Sequence, residues 1–225
     1  MPEWRKRAVR IRRPAPRGLL KRRGPVSRNW GFDRGTPVDR YFIERFLASQ
    51  SEVIRGPVLE VKGDEYTRRY GSSVTSCDVL DVDADNPRAT VVADLTNAPG
   101  IPDSSYDCIV LTQVLHLIAE IDDAVAECHR ILRPGGTLLA TVPTLSRMSR
   151  ELFDTDHWRM TPVGAQKVFS SVFGRDRVVV TGHGNAVLCA AFLMGIAVEE
   201  MSAALLESSD PFFPLVVTVR GTKAT

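Results

Sequence analysis

Apolar and polar positions change rhythm twice along the chain. From residue 35, "GTPVDRYFIERFLASQSEVI" carries Tyr41, Phe42, Ile43, Phe46 and Leu47 at helical spacing. That spacing predicts an amphipathic helix within 36–54, with Thr36 as N-cap and Pro37 at the first helical position. From residue 57 onward short apolar runs of strand length predict strands at 57–61, 77–82, 90–93, 107–112, 137–142, 177–181 and 213–219. Helical stretches are expected between them, near 66–71, 113–118, 121–132, 162–172 and 192–206. Such alternation predicts an α/β fold with a mostly parallel sheet and helices on both faces.

The most specific local phrase is "AECHRILRPGGTLLATVP". A helix presenting Val125, Cys128, Ile131 and Leu132 to a core ends before Pro134, Gly135 and Gly136 turn the chain, and an apolar strand follows. In "VLEVKGDEYTRRYG" a strand of five runs into a turn that keeps only Gly63 and Gly71. A first strand-to-helix turn that approaches a cofactor ordinarily needs more glycines.

Composition adds one asymmetry. The 225 residues have a formal net charge of +2, but residues 1–28 hold eleven Lys/Arg against Glu3, leaving the rest of the chain at −8. The expectation is a flexible basic arm over 1–28 and one domain over 29–225. The arm either docks on the acidic body or stays solvated. Binding of nucleic acid through clustered arginines is the lesser reading, because only Trp4 and Trp30 accompany the charge for stacking. No apolar run is long enough to cross a bilayer, and no signal-peptide core is present at the N-terminus. The four cysteines and four histidines show no ligand-like spacing, so no metal is expected and the location expected is cytoplasmic.

The fragments "VLEVKG", "DVLDVD", "VVADLTNAPGIPDSSYDCIVLTQVLHLI" and "ILRPGGTLLATVP", in that order across about 55–145, resemble the class I S-adenosylmethionine-dependent methyltransferases of the small-molecule group. The resemblance implies a Rossmann-like, seven-stranded sheet whose last strand is antiparallel, with S-adenosylmethionine at the carboxyl ends of the first strands. It implies cofactor roles for Glu60, Gly63, Tyr66 and Thr67 around the first turn, Gly63 matching the first loop glycine. Glu60 acts through the loop backbone or simply caps the turn. Of Asp81 and Asp83, which alternate on the strand, Asp81 is preferred for the ribose hydroxyls. Asp94 is matched to the adenine amino group, or to an Asx turn, with Leu95 packing on the ring. Thr112 and Gln113 line the methionine end. His116 is a general base or packs beside the cofactor.

The acceptor side is expected from the N-terminal helix, through Tyr41, and from 144–175. There "RELFDTDHWRMTP" offers Asp156 or His157 as proton acceptor, Trp158 for stacking, and Arg159. Alternatively, Thr161-Pro162 starts a helix and Trp158 fills its base. Three functions compete. Methyl transfer to a small molecule leads, with O-methylation of a sugar or specialised metabolite first, by a monomer or homodimer. A degenerate relative that binds a ligand or partner, or catalyses a reaction such as cyclisation, is the second. An RNA methyltransferase using the basic arm is the third.

Overall fold

The computed structural model describes residues 23–225. Most of the basic arm, residues 1–22, lies outside them, and so do nine of the eleven basic residues on which the RNA reading rests. Of the remainder, Val26 and Ser27 donate their backbone N–H groups to the Met194 carbonyl, at 2.8 and 3.1 Å.

Seven strands form one sheet: β1 (Arg55–Val61), β2 (Ser73–Asp81), β3 (Val91–Val92), β4 (Tyr106–Thr112), β5 (Leu132–Pro143), β6 (Val178–His183) and β7 (Val216–Thr222). Their spatial order is β3-β2-β1-β4-β5-β7-β6. β1 to β5 pair in parallel, while β7 runs antiparallel to both β5 and β6. Among the described residues six α-helices accompany them: α1 (Val38–Ser49), α2 (Glu65–Tyr70), α3 (Ile121–Ile131), α4 (Pro162–Phe173), α5 (Ala186–Met194) and α6 (Ala203–Glu207).

Period-two alternation divides the core. Leu59, Ile109, Leu111 and Leu138 face α3 and α4, where Val125, Cys128, Ile131 and Phe169 meet them. Val58, Cys108, Val110 and Leu139 face the other way, onto Val38, Phe42 and Leu47 of α1 and Leu188 and Phe192 of α5. Burial on both faces explains why the central strands read as continuous apolar runs.

Three local expectations are corrected. Pro37, not Thr36, holds the cap position of α1, because Thr36 is drawn away: its N–H and hydroxyl donate to Glu199, at 2.9 and 2.7 Å. β5 begins at Leu132 rather than 137. Leu132 stands opposite Tyr106 and Thr137 opposite Cys108, so Arg133–Gly136 bulge out of a strand that starts earlier. The apolar stretch 192–206 is two helices, because Gly195 takes the left-handed conformation (φ +67°) and ends α5. A Cβ at Gly195 would lie 2.5 Å from the Ser27 carbonyl oxygen, so this turn also fixes where the amino-terminal segment crosses the body.

Candidate active site

The carboxyl ends of β1, β2, β4 and β5 form one edge, where ligands of open α/β sheets bind. At the end of β1, the Glu60 carboxylate accepts the N–H groups of Tyr66 (3.1 Å) and Thr67 (2.7 Å). Burial raises its pKa above the ordinary carboxylate range, opposed by those hydrogen bonds. Glu60 thus caps the first turn of α2 through these two backbone N–H groups. The left-handed residue of the turn is Lys62 (φ +69°), one position before the Gly63 picked from sequence. A lysine there costs about 1 kcal/mol relative to glycine and places a long cation where the chain turns. The space beside Gly63 is taken by the Glu65 carboxylate, which pairs with Arg88. Thr67 turns its side chain into the interior, whereas Tyr66 reaches the open edge.

At the end of β2, the buried Asp81 carboxylate accepts the Asp83 N–H (3.1 Å) and the Asn86 side-chain amide (2.8 Å). Burial opposes its ionisation, but the hydrogen bonds from Asn86 and the backbone prevail, holding its pKa below the usual value. An ionised carboxylate so oriented retains lone pairs for a vicinal diol. Asp83 lies beyond the end of β2 and stands in solvent, its carboxylate accepting the Asp85 N–H at 2.9 Å, so the two acids do not alternate on one strand as expected and only Asp81 is buried at the edge. Asp94 adopts the Asx turn, accepting from the Thr96 N–H and hydroxyl, each at 2.8 Å, through one oxygen. Leu95 is only 3% exposed within the core beside Leu80 and Ile101, which leaves no surface to pack on a ring. The apolar side chain that does stand free beside Asp81 is Val82, 68% exposed.

Next to this edge opens a cavity of about 300 Å³. Lys62 and Tyr66 line it from the first turn, and Thr112, Gln113 and His116 from the end of β4. Gln113 has a left-handed backbone (φ +54°), fixed by its N–H to the Thr141 carbonyl at 3.0 Å; its buried side-chain amide nitrogen has no partner among the described residues. The segment after β5 supplies Ser146, Arg147, Leu152 and Asp156, and the amino-terminal region supplies Trp30, Phe32, Asp39, Arg40 and Ile43.

The aromatic and acidic candidates divide. Asp156 enters the wall, but its carboxylate is held bidentately by Arg159 at 2.5 and 2.8 Å, and this pairing keeps it ionised. His116 lies 3.9 Å from Asp156, and burial lowers its pKa to about 4, so it is neutral at pH 7 and packs against the site. His157 faces solvent, and its N–H donates to the His116 carbonyl (2.9 Å). Trp158 is 41% exposed, its indole N–H donating to the Ile118 carbonyl (2.8 Å), and it does not line the cavity. Thr161 caps α4 by accepting the Gly164 N–H at 3.1 Å. Tyr41 also points elsewhere, its hydroxyl joined to Arg45 and Glu207. Asp39 and Ile43 are one helical turn apart and share the cavity face, from which Tyr41, two residues from each, is turned away.

Asp39 is the group that sequence reading missed. Its carboxylate accepts the Arg40 N–H at 2.8 Å in the first turn of α1, and enclosure raises its pKa to about 6. That value suits a base working near neutrality. Three cations, Arg40, Lys62 and Arg147, line the same cavity. Among the described residues, no group of three or more His, Cys, Asp or Glu side chains could hold a metal ion, and no helix is long and apolar enough to cross a membrane.

These groups fit S-adenosylmethionine in their donor and acceptor chemistry: the Asp81 carboxylate for a diol, the unpartnered Gln113 amide and the Lys62 ammonium for a carboxylate. A family profile described as a methyltransferase domain matches residues 62–140. No curated protein matches the chain significantly in sequence. Among solved structures, a chain of the complex between the Haloferax volcanii Trm112 methyltransferase activator and a methyltransferase aligns over 83% of this chain and 92% of its own length, with TM-score 0.56 and 15% identity. An S-adenosylmethionine-dependent methyltransferase from Archaeoglobus fulgidus aligns over 82% and 94%, with TM-score 0.54 and 11% identity. One from Listeria monocytogenes aligns over 82% and 100%, with TM-score 0.51 and 11% identity. Residues 62–140 thus match a methyltransferase domain, and the chain as a whole shares the fold of S-adenosylmethionine-dependent methyltransferases.

Proposed function

We propose that the chain methylates a hydroxyl group of a small molecule held in the cavity between α1, the end of β4 and the segment after β5. The observation that carries this reading is Asp39, an enclosed carboxylate of raised pKa lining a cavity of about 300 Å³, at the lower end of ordinary small-ligand sites. A hydroxyl is a poor nucleophile until its proton is removed. Asp39, mostly ionised at pH 7 to 8, accepts that proton.

When bound, S-adenosylmethionine supplies an electrophilic methyl group whose sulfur departs as S-adenosylhomocysteine. The protein's part is then alignment and exclusion of water. Asp81 and Asn86 hold the nucleoside end; Gln113 and Lys62 hold the amino acid end; Trp30, Phe32, Ile43 and Leu152 wall the acceptor. A sugar or a specialised metabolite with a reactive hydroxyl suits such a site. Four thiols without a disulfide suit a reducing cytoplasm.

The test is transfer of a labelled methyl group from S-adenosylmethionine to a panel of sugars, phenols and hydroxy acids, with a matching panel of amines. The expected result is product from hydroxylated acceptors, reduced at least about a hundredfold by Asp39→Asn. Transfer to amines alone, or full activity in Asp39→Asn, would overturn it.

A further inference from the structure

The charge of the cavity narrows the acceptor further, resting on the reading of the cavity as the acceptor site. Arg40, Lys62 and Arg147 line it from three different segments, and among the described residues none has a carboxylate within 4.0 Å. Asp156 does not offset them, since Arg159 already neutralises it. Among the described residues that line the cavity, Asp39 is left as the single opposing charge, Glu151 acting on Arg147 only from outside the lining. S-adenosylmethionine adds a sulfonium and an ammonium against one carboxylate, so it brings a further net positive charge. A site holding only the cofactor and a neutral acceptor would gather like charges behind apolar walls, where they repel strongly.

Two of the cations are also built to receive an anion. The Arg147 guanidinium lies over the Trp30 ring, 3.3 Å from its centroid, and the Trp30 indole is itself fixed by its N–H to the Ser146 hydroxyl at 3.1 Å. One Arg147 terminal nitrogen donates to the Met148 carbonyl (2.9 Å), while its Nε–H is buried with no acceptor among the described residues. Arg40 is flanked by Phe32 and Tyr66, 5.3 and 5.6 Å from their centroids. Stacking on aromatic faces fixes a guanidinium and leaves its in-plane donors free for a planar or tetrahedral oxyanion. We propose that the acceptor carries a carboxylate or phosphate group, bound by Arg147 and Arg40, which holds its hydroxyl toward Asp39.

Titration calorimetry on the full chain saturated with S-adenosylhomocysteine tests this with three probes: 4-hydroxybenzoate, its neutral counterpart 4-hydroxybenzamide, and inorganic phosphate. The expected result is at least about tenfold tighter binding of the benzoate than the benzamide, and measurable binding of phosphate, as charge-assisted hydrogen bonds provide. Arg147→Met and, independently, Arg40→Met should each weaken the benzoate about tenfold while leaving the benzamide and S-adenosylhomocysteine within about twofold. Arg175→Met, at the opposite edge of the sheet, should change nothing. Equal affinity for benzoate and benzamide, no binding of either anion at millimolar concentration, or indifference to both variants would overturn the proposal. Failure of the methyltransferase reading has a different signature: S-adenosylhomocysteine itself does not bind, while Arg147-dependent binding of the benzoate persists.

Discussion

Replacing Asp39 by asparagine should make the protein more stable and less active. Enclosure moves this carboxyl from 3.8 to about 6. At about 1.36 kcal/mol per pH unit, the ionised form is disfavoured in the fold by about 3 kcal/mol. The residue is only half-buried, so solvent screening reduces the net cost to about 1–2 kcal/mol. The sign follows from proton binding. Between pH 4 and 6 the folded state holds this proton more tightly than the unfolded chain, so stability falls as pH rises through that window and is level above it. The asparagine side chain keeps the shape and an oxygen for the Arg40 N–H, but has no proton to lose. Urea unfolding at pH 7.5 should therefore show Asp39→Asn about 1–2 kcal/mol more stable than the natural chain, the gap closing toward pH 4. Methyl transfer should fall at least about a hundredfold in the same variant. A variant that is less stable at pH 7.5, or stabilised equally at both pH values, would refute the account of the carboxyl's environment.

Other perturbations have equally definite outcomes. Asp81→Ala removes the acceptor held by Asn86 and the Asp83 N–H, and should weaken S-adenosylhomocysteine about tenfold or more by calorimetry without abolishing cooperative unfolding. Asn185→Ala deletes a cap that accepts from the Val187 and Leu188 N–H groups and donates to the Leu205 and Ser208 carbonyls; its loss should cost about 2–3 kcal/mol in urea unfolding. Gly195→Ala combines a left-handed backbone with a Cβ 2.5 Å from the Ser27 carbonyl oxygen, and a loss above about 2 kcal/mol is expected.

The sheet was legible because its strands are buried on both faces and separated by polar helices and turns. What misled was chemistry that acts at a distance along the chain. Thr36 has the side chain of an N-cap, yet Glu199 claims it from 163 positions away. Residues 192–206 read as one helix, but Gly195 turns left-handed and ends α5 within that stretch. The expected cofactor residues Asp81, Thr112 and Gln113 sit at strand ends, whose position a strand pattern fixes. Leu95 also lies near a strand end, but the core consumes it. Asp39, Arg40 and Arg147 belong to segments whose meeting place exists only after the sheet has formed. In sequence, Asp39 looks like an ordinary acid in a helix's first turn, and Arg147 like one charge in a polar loop. Lys62 left the clearest trace: a strand ending in Glu60-Val61, with a lysine where the turn bends.

The central claim is that a methyl donor binds at an edge whose turn carries Lys62 in place of a glycine. Titration calorimetry of the full chain with S-adenosylhomocysteine addresses it directly, followed by thermal unfolding with the ligand in excess. One saturable site per chain, and an unfolding midpoint that rises with ligand concentration as mass action requires, are the predicted results. No heat of binding and an unchanged midpoint, in a protein that unfolds cooperatively, would contradict it.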